Sequence, residues 1–162
     1  MFVGINPGIR SAEVGHHFAG RSNRFWKFLF ESELTPIKYD AFHDYELMDF
    51  GYGITNIVPR TTATAAELNP AELREGALIL FELIKKYKPG IAAYLGKVIY
   101  QYLSGRKDFS WGMQETPLEK GVVDFVLPNP SGLNRMPIPE QLEMYRELKK
   151  CAIILLISHR NI

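Results

Sequence analysis

The chain has 162 residues, 46% of them hydrophobic and 23% charged, which is typical of one globular domain, residues 1–162, with a sizeable core. Nineteen Lys and Arg against eighteen Asp and Glu give a net charge of +1, without the overall basicity of many nucleic-acid-binding proteins. The single cysteine, Cys151, excludes an internal disulfide and a cysteine-only metal cluster, and its apolar neighbours predict a structural thiol. No apolar run approaches the roughly 20 residues that span a bilayer, so no membrane partner is expected.

Strands and helical segments alternate in the first half of the chain. The predicted elements are, in chain order, a strand over residues 1–5, a helix from Ser22 to about residue 34, a helical patch around 40–47, and a strand over 53–58. Ser22 is predicted to be the N-cap of its helix. The residues predicted on the apolar side of that helix are Phe25, Trp26, Phe28 and Leu29.

The clearest predicted element is a long helix that Asn69 caps, with Pro70 at its first position and Pro89-Gly90 at its end. Its predicted core residues are Leu73, Ala77, Leu80, Phe81, Ile84 and Tyr87. The later elements are a strand over 91–95, a helix from 96–97 to about 103, a strand over 122–127, and a helix after Pro139 with Leu142, Tyr145 and Leu148 inward. The apolar run over 152–157 is predicted to be a buried terminal segment.

Strands that alternate with helices along a whole chain indicate an α/β fold. We expect three layers, with a central, mostly parallel sheet of four to five strands and helices on both faces. Ligands bind to such sheets beyond the carboxyl ends of the strands. The polar segments GINPG, TNIVPRTT, LGK and LPNPSGLNR all follow strands, so they are expected to converge on one site.

Asn6, in GINPG, has two interpretations. Its carboxamide donates and accepts hydrogen bonds and can orient a water molecule, but it cannot act as a proton-accepting base. In an enzyme, Asn6 would position a nucleophilic water for a reaction whose difficulty lies mainly in the departure of the leaving group. The alternative is an Asn that only stabilises the turn before Pro7.

The segment NPSGLNR, residues 129–135, combines a compact turn with an apolar tip and a guanidinium. Leu133 could enter a DNA duplex while Arg135 meets phosphates or a base edge, as in proteins that unstack DNA. The alternative is an ordinary connection from strand to helix, with Leu133 in the core. Phe18 likewise offers either a face on which a base stacks or one more core aromatic.

Other candidate sites are weaker. His16 and His17 have no third ligand at metal-binding spacing, so no metal is expected. Lys97 follows Gly96 after a strand, which is a weak indication of a catalytic lysine. The cations near the two motifs would form either a modest basic rim or a solvated helix face; they are Arg10, Arg21, Arg24 and Lys27.

Several stretches together resemble one family. GINPG follows the first strand, NPSGLNR follows the last, and GHHFAGRSNRFWK lies between them. Further matching stretches are FGYGITNIVPRTT, the REG of the long helix, YLGK, and the MYRELKK of the last helix. Over nearly its whole length, the chain resembles the mismatch-specific uracil-DNA and thymine-DNA glycosylase branch of the uracil-DNA glycosylase superfamily, which implies that superfamily's fold.

The resemblance implies a monofunctional DNA glycosylase of base excision repair, which flips uracil opposite guanine out of double-stranded DNA and hydrolyses its N-glycosidic bond. Thymine or modified pyrimidines are further substrates that it leaves open. Asn6 matches the residue that positions the attacking water. Leu133 and Arg135 match residues that fill the gap and contact the opposite guanine. The rest of that wedge loop is formed by Asn129, Pro130, Ser131 and Gly132.

Part of the resemblance concerns the flipped base. Phe18 matches the aromatic residue that stacks on the base, and Asn23 matches a residue that contacts it. Backbone N–H groups around Ile5 and Phe18 would stabilise the departing anionic base. GINPG lacks a carboxylate, which implies a slow catalyst, and a slow catalyst acts mostly on pairs that cost little to flip.

The substrate preference implied by the resemblance is mixed. His17 and Asn56 resemble the thymine-processing members, whereas NPSGLNR resembles the bacterial uracil-preferring members. Ser11 matches a position near the pyrimidine 5-substituent, and Thr62 belongs to a TT pair beside the catalytic water. The sequence therefore leaves the choice between uracil, thymine and modified cytosines open.

Two classes of function compete. A DNA-repair enzyme would use Asn6, whereas a non-catalytic DNA- or nucleotide-binding domain with the same fold would not need it. A small-molecule phosphate-binding enzyme is disfavoured, because GINPG fits neither glycine-rich phosphate motif. We expect a monomer that binds double-stranded DNA with a mispaired or damaged pyrimidine, in the cytoplasmic nucleoid of a prokaryote or in a eukaryotic nucleus. With one cysteine it cannot carry the iron-sulfur cluster of other branches, and no cofactor is expected.

Overall fold

A central five-stranded sheet organises the computed structural model, which describes residues 1–160, with the side chains of residues 1–158. The strands are β1 (Phe2–Gly4), β2 (Ile54–Asn56), β3 (Ile91–Leu95), β4 (Gly112–Met113) and β5 (Val123–Leu127). Their order across the sheet is β2-β1-β3-β5-β4. The first four strands in that order are parallel, and β4 is antiparallel to β5. The four predicted strands are confirmed: the strand over 91–95 has the predicted bounds, and the other three are shorter than predicted.

Helices cover both faces of the sheet. They are α1 (Ile9–Val14), α2 (Phe25–Glu31), α3 (Pro70–Tyr87), α4 (Lys97–Ser104) and α5 (Ile138–Arg160), with 3-10 segments at Ala41–Phe50 and Ala65–Glu67. Alternate residues of a strand point to opposite faces, so β3 sends Ala93 and Leu95 toward α2 and α5, and Ala92 and Tyr94 toward α3 and α4. The predicted three-layer α/β fold is confirmed.

The long helix α3 begins where the sequence predicts. The Asn69 side chain accepts from the N–H groups of Ala71 and Glu72, and Pro70 occupies the first turn. Four of its predicted core residues are buried, namely Leu73, Ala77, Leu80 and Ile84. Phe81 is half-buried, and Tyr87 was predicted wrongly, because it lies 64% exposed in the last turn of α3.

Some boundaries differ from the prediction. Ser22 is not the N-cap of α2, which begins at Phe25 after an Asn23 side chain that accepts from the Phe25 N–H at 2.9 Å. The helix ends at Glu31, and its four predicted apolar residues are all buried. Strand β4 has two residues and α1 buries none of its six, so neither shows a periodic apolar pattern that a sequence could reveal.

The apolar run over residues 152–157 was predicted wrongly as a buried segment. It continues α5, and the exposed fractions of Ile154 and Leu156 are 64% and 63%. Upstream on the same helix, Tyr145 and Leu148 are buried, and Cys151 packs at the margin of that core, where burial raises the pKa of its thiol. Within residues 1–160, no helix combines the length and the apolarity that crossing a membrane requires.

Gly76 sets how closely α3 approaches the chain beyond β2. A Cβ at Gly76 would collide with the backbone carbonyl of Ile57, which is fixed by the Ile57 N–H bond to Gly4. In an open helix Gly→Ala is stabilising by up to about 1 kcal/mol. We expect Gly76→Ala to lower the free energy of unfolding instead, by about 1–3 kcal/mol, because a backbone group must move.

Urea denaturation would measure this effect, with Glu75→Ala as the control. Glu75 is the neighbouring exposed position on α3, so its replacement should change stability by no more than about 0.5 kcal/mol. Equal stability of the two variants would contradict the close approach.

Candidate active site

The carboxyl ends of four parallel strands surround one cavity of about 960 Å³. Gly4, Asn56 and Leu95 end β1, β2 and β3 at its wall, and the loop after β5 completes it. The predicted site residues that line it are Ile5, Asn6, Ser11, His17, Phe18, Asn23, Asn56, Thr62, Asn129, Pro130, Ser131, Gly132 and Leu133. Of the predicted set, Arg135 alone does not line the cavity, and it is exposed.

The carboxamide of Asn6 is oriented by three oxygen acceptors. Its Nδ2 donates to the Arg60 carbonyl at 2.8 Å and to the Thr62 hydroxyl at 2.7 Å, with a longer contact to the Pro7 carbonyl at 3.3 Å. A carbonyl only accepts, so the atom that faces Arg60 must be the nitrogen. The Asn6 Oδ1 has no hydrogen-bond partner in residues 1–158, and a side chain that only shaped the turn would use this oxygen to accept a backbone N–H. Asn6 therefore offers the cavity a fixed acceptor.

The loop that holds Asn6 is itself anchored to α3. The Arg60 guanidinium binds both carboxylate oxygens of Glu72, and its Nη2 also donates to the Glu67 carbonyl at 3.0 Å. The Thr62 N–H donates to the Pro7 carbonyl at 3.2 Å, which joins the loop to the segment after β1. Arg60 and Glu72 were not singled out from the sequence, because nothing in a sequence pairs two charges twelve residues apart across a loop.

The loop before α2 is held in a backbone conformation that only a few residues adopt. Phe18 has a φ of 55°, in the left-handed region. Its neighbours are tied down: the His17 N–H donates to Asp44, the Trp26 indole donates to the His17 carbonyl, and the Ala19 N–H donates to the Ser11 hydroxyl. The Phe18 N–H itself has no partner among residues 1–158, although Phe18 lines the cavity.

The two interpretations of Phe18 turn out to be compatible. One side of its ring stacks on Phe25, with the centroids 4.0 Å apart and the planes at 29°. The residue is nevertheless only partly buried and belongs to the cavity wall. No pattern in the sequence indicates the carboxylate behind this loop, which belongs to Asp44 of the 3-10 segment and binds His16 as well as His17.

Three polar side chains stand around the Phe18 ring. Asn56 lies so close to β1 that a Cβ at Gly4 would collide with its Oδ1, which accounts for that glycine. The Asn23 Oδ1 is used by the Phe25 N–H, which leaves its Nδ2 free to donate. Partial burial lowers the pKa of His17 below its ordinary value of 6.5, so its imidazole is mostly neutral at pH 7.

The loop after β5 presents an apolar tip. Leu133 is 76% exposed, so the alternative in which it packs in the core was wrong. The Ser131 N–H donates to the Asn129 side chain at 2.8 Å, and the Leu133 N–H donates to the Ser131 hydroxyl at 3.2 Å. The Asn134 side chain returns to the Asn129 carbonyl at 2.8 Å. The turn is therefore ordered by its own side chains, with its largest apolar group in solvent.

The four cations for which the sequence left open a basic rim or a solvated helix face have different surroundings. Arg10 pairs with Glu13 and Lys27 pairs with Glu31, each at 3.6 Å. Arg24 points its guanidinium at carbonyls of the loop after β5. Arg21 is exposed and keeps its charge available to a ligand.

Lys97 has no place at the cavity. Its ammonium donates to the Phe109 carbonyl at 3.0 Å and lies 4.9 Å from the centre of the Trp111 ring. The weak indication of a catalytic lysine was therefore wrong. Within residues 1–158, no three His, Cys, Asp or Glu side chains gather as a metal site would require.

Comparison with known families gives one match over most of the chain. The family described as the uracil DNA glycosylase superfamily matches residues 1–150. This range contains all five strands and every residue that lines the cavity. The exposed apolar end of α5 lies outside it.

The anchor of the Asn6 loop should respond to pH. Hydrogen bonding to Arg60 lowers the pKa of Glu72 from its ordinary 4.5 to about 2. The ionised pair therefore stabilises the fold above pH 4.5, and this contribution disappears as the pH falls toward 2. We expect Glu72→Gln to be less stable than the parent at pH 7, with a difference that closes between about pH 5 and 2.

Urea denaturation across that pH range would test this, with Glu75→Gln as the matched control on the same helix. Glu75 is exposed and should give a small difference at every pH. A Glu72→Gln difference that stays constant from pH 7 to pH 2.5 would contradict the ion pair as its source.

Proposed function

Because the chain belongs to the uracil-DNA glycosylase superfamily, whose members act on DNA, we propose that it is a monofunctional, mismatch-specific DNA glycosylase. It would flip uracil out of G·U pairs in double-stranded DNA and hydrolyse the bond between the base and the sugar. The observation that carries this proposal is the fixed carboxamide of Asn6, which leaves one acceptor oxygen at the cavity. Thymine and modified pyrimidines opposite guanine are further candidate substrates.

The reaction breaks the C1′–N bond, so positive charge develops on the sugar and negative charge on the departing base. A water then attacks C1′, and the proton it loses passes to the departing base anion or to solvent. Asn6 Oδ1 would accept a hydrogen bond from this water and aim its lone pair at C1′, which lowers the barrier through orientation. No Asp or Glu side chain of residues 1–158 lines the cavity, so no protein carboxylate is there to remove the proton or to face the sugar cation.

Catalysis would then depend on the departing base. The N–H groups of Ile5 and Phe18 have no partner among the described residues, and both residues line the cavity. Preorganised donors of this kind stabilise charge that develops on a carbonyl oxygen in the transition state. The free Asn23 Nδ2 would donate to the base as well, while Phe18 stacks on it.

The wall beside the Phe18 ring would set the choice of pyrimidine. Ser11 and His17 line the cavity, where they would face the 5-substituent of the base. The Ser11 hydroxyl accepts from the Ala19 N–H, and this bond holds its oxygen in place in that wall. Asn56 and Thr62 would contact the base and the attacking water from the β2 side.

The exposed loop after β5 would open the duplex. Leu133 would fill the space that the flipped nucleotide leaves, and Arg135, exposed beyond it, would meet the opposite guanine. A base in a mismatched pair costs less to unstack than one in a normal pair. The protein would act as a monomer on this DNA.

The rival function is a DNA- or nucleotide-binding domain of the same fold without turnover. We expect Asn6→Ala to release uracil from a G·U duplex about 100- to 1,000-fold more slowly than the parent in single-turnover assays, because water is no longer oriented. The affinity for the duplex should stay within about threefold, since Asn6 would touch the water rather than the DNA backbone. Exposed Gln101 on α4 supplies the control variant Gln101→Ala.

The two functions give opposite results in that assay. Failure of the parent protein to release any base from any G·U, G·T or modified-pyrimidine duplex would end the enzyme proposal. Full activity of Asn6→Ala would support a glycosylase activity but would contradict a catalytic role for Asn6.

Leu133→Ala should separate duplex opening from chemistry. Without the apolar tip, we expect uracil release from a G·U duplex to fall about 10-fold, because the vacated stack is no longer filled. Release from single-stranded DNA should change by less than about twofold, since no stack has to be opened. Parallel single-turnover assays on the two substrates provide the measurement. Equal losses on both would show that Leu133 acts on the base site instead.

A further inference from the structure

The guanidinium of Arg24 contacts the wedge loop, residues 129–135, at several points. Its Nη1 donates to the Ser131 carbonyl at 3.4 Å and to the Asn134 carbonyl at 3.3 Å. Its Nη2 donates to the Gly132 carbonyl at 3.4 Å. The Arg24 backbone N–H also donates to the Pro130 carbonyl, at 2.8 Å. Carbonyls on both sides of Leu133 are therefore held by one residue.

These bonds tie the loop to the body of the protein. The other hydrogen bonds described for residues 129–134 stay within that segment or reach Met136. Arg24 directly precedes α2, whose Phe25, Phe28 and Leu29 are fully buried. The internal hydrogen bonds thus determine the conformation of the loop, and the Arg24 bonds determine its position relative to α2.

Packing reinforces the same contact. A Cβ at Gly132 would collide with the Ser22 side chain, so the loop lies directly against the segment 21–24. Ser22 makes this contact, and its short side chain leaves room for the loop backbone. A shift of the loop away from α2 would break the Arg24 hydrogen bonds and, at the same time, separate Gly132 from Ser22.

We propose that Arg24 is the positioning residue of the wedge loop: it holds Leu133 in place for insertion before DNA arrives. This inference rests on the proposed function of the loop. Ordering a flexible loop costs free energy at the moment of binding, and a loop that is already ordered avoids that cost. Arg24 therefore acts on duplex opening through Leu133, not as a phosphate contact.

The side chain must be an arginine for a geometric reason. A planar guanidinium has five N–H donors in a fixed fork and can meet several carbonyls in different directions. A lysine ammonium in the same place has equal charge but concentrates its donors at one point. If Arg24 contacted phosphates only through its charge, lysine could replace it. Lysine cannot replace it in the brace, by which we mean the hydrogen bonds from Arg24 to the carbonyls of the wedge loop.

The brace also links the two parts of the site. Asn23 precedes Arg24, and its side chain fixes the start of α2 through the Phe25 N–H. Asn23 lines the base cavity, whereas Arg24 holds the tip. Two consecutive residues, Asn23 and Arg24, would therefore set the distance between the flipped base and the inserted Leu133.

The test compares Arg24→Lys and Arg24→Gln with Arg21→Lys and Arg21→Gln in single-turnover uracil release. Arg21 is exposed on the same segment and serves as the matched control. Both Arg24 variants should slow release from a G·U duplex by about 5- to 30-fold and leave release from single-stranded DNA within about twofold. For Arg21, lysine should preserve the duplex rate. Gln should weaken duplex binding more at low salt than at high salt.

Hydrogen exchange of the free protein tests the brace without any reaction. The amides of Ser131, Leu133 and Asn134 should exchange faster in Arg24→Lys than in the parent, and at the parental rate in Arg21→Lys. Gly132→Ala, which keeps Arg24 but pushes the loop off Ser22, should give the same exchange and the same selective duplex loss. If the parent releases no base, the proposed function fails. The exchange result still shows whether Arg24 holds the wedge loop in place in the free protein.

Two results would overturn the inference. One is an Arg24→Lys protein with parental duplex activity and parental exchange in the loop, which would make Arg24 a simple charge. The other is an equal loss on duplex and single-stranded substrates, which would place its effect at the base cavity through Asn23.

Discussion

The Asn6 side chain can donate to the Arg60 carbonyl only through its nitrogen, and this bond decides which atom of Asn6 faces a ligand. Much of the site serves that orientation. The Thr62 hydroxyl accepts the second Nδ2 hydrogen, and the Arg60 side chain is bound by Glu72 in the first turn of α3. Through one ion pair, helix α3 therefore fixes the loop whose carbonyl orients Asn6 at the cavity wall.

The same design recurs on the opposite wall, where side chains from the body hold loops by their backbone. Asp44 and Trp26 bind the two backbone groups of His17, and Arg24 binds carbonyls around Leu133. Between these fixed points, the Phe18 N–H has no partner among residues 1–158 and the Leu133 side chain lies in solvent. A loop that folding has already ordered costs less free energy to order when a ligand binds.

The sequence was sufficient for features that depend on local pattern. The Asn69 cap, the buried face of α2 and the convergence of strand ends all follow from capping chemistry, periodicity and parallel topology. The contact between Arg24 and the wedge loop could not be predicted in this way. It joins residues more than a hundred positions apart, and its acceptors are backbone carbonyls, which every residue has. The run over 152–157 was predicted as buried because it is apolar. Apolar composition alone does not show whether the end of a helix packs against the rest of the fold.

In the proposed reaction, a cavity that no carboxylate of residues 1–158 lines would make selectivity depend on base flipping. Donors at Ile5 and Phe18 and a water oriented by Asn6 would lower the chemical barrier less than a protein base would, so the flipped base would return to the stack many times before its bond is hydrolysed. The rate would then depend on the fraction of time for which the base is flipped, which a mispair raises. Leu133, held in place by Arg24, would extend that time for every pair it enters. On this proposal the hold on Leu133 must be strong enough to fill the gap behind a mispaired base, yet too weak to keep a correctly paired base outside the duplex.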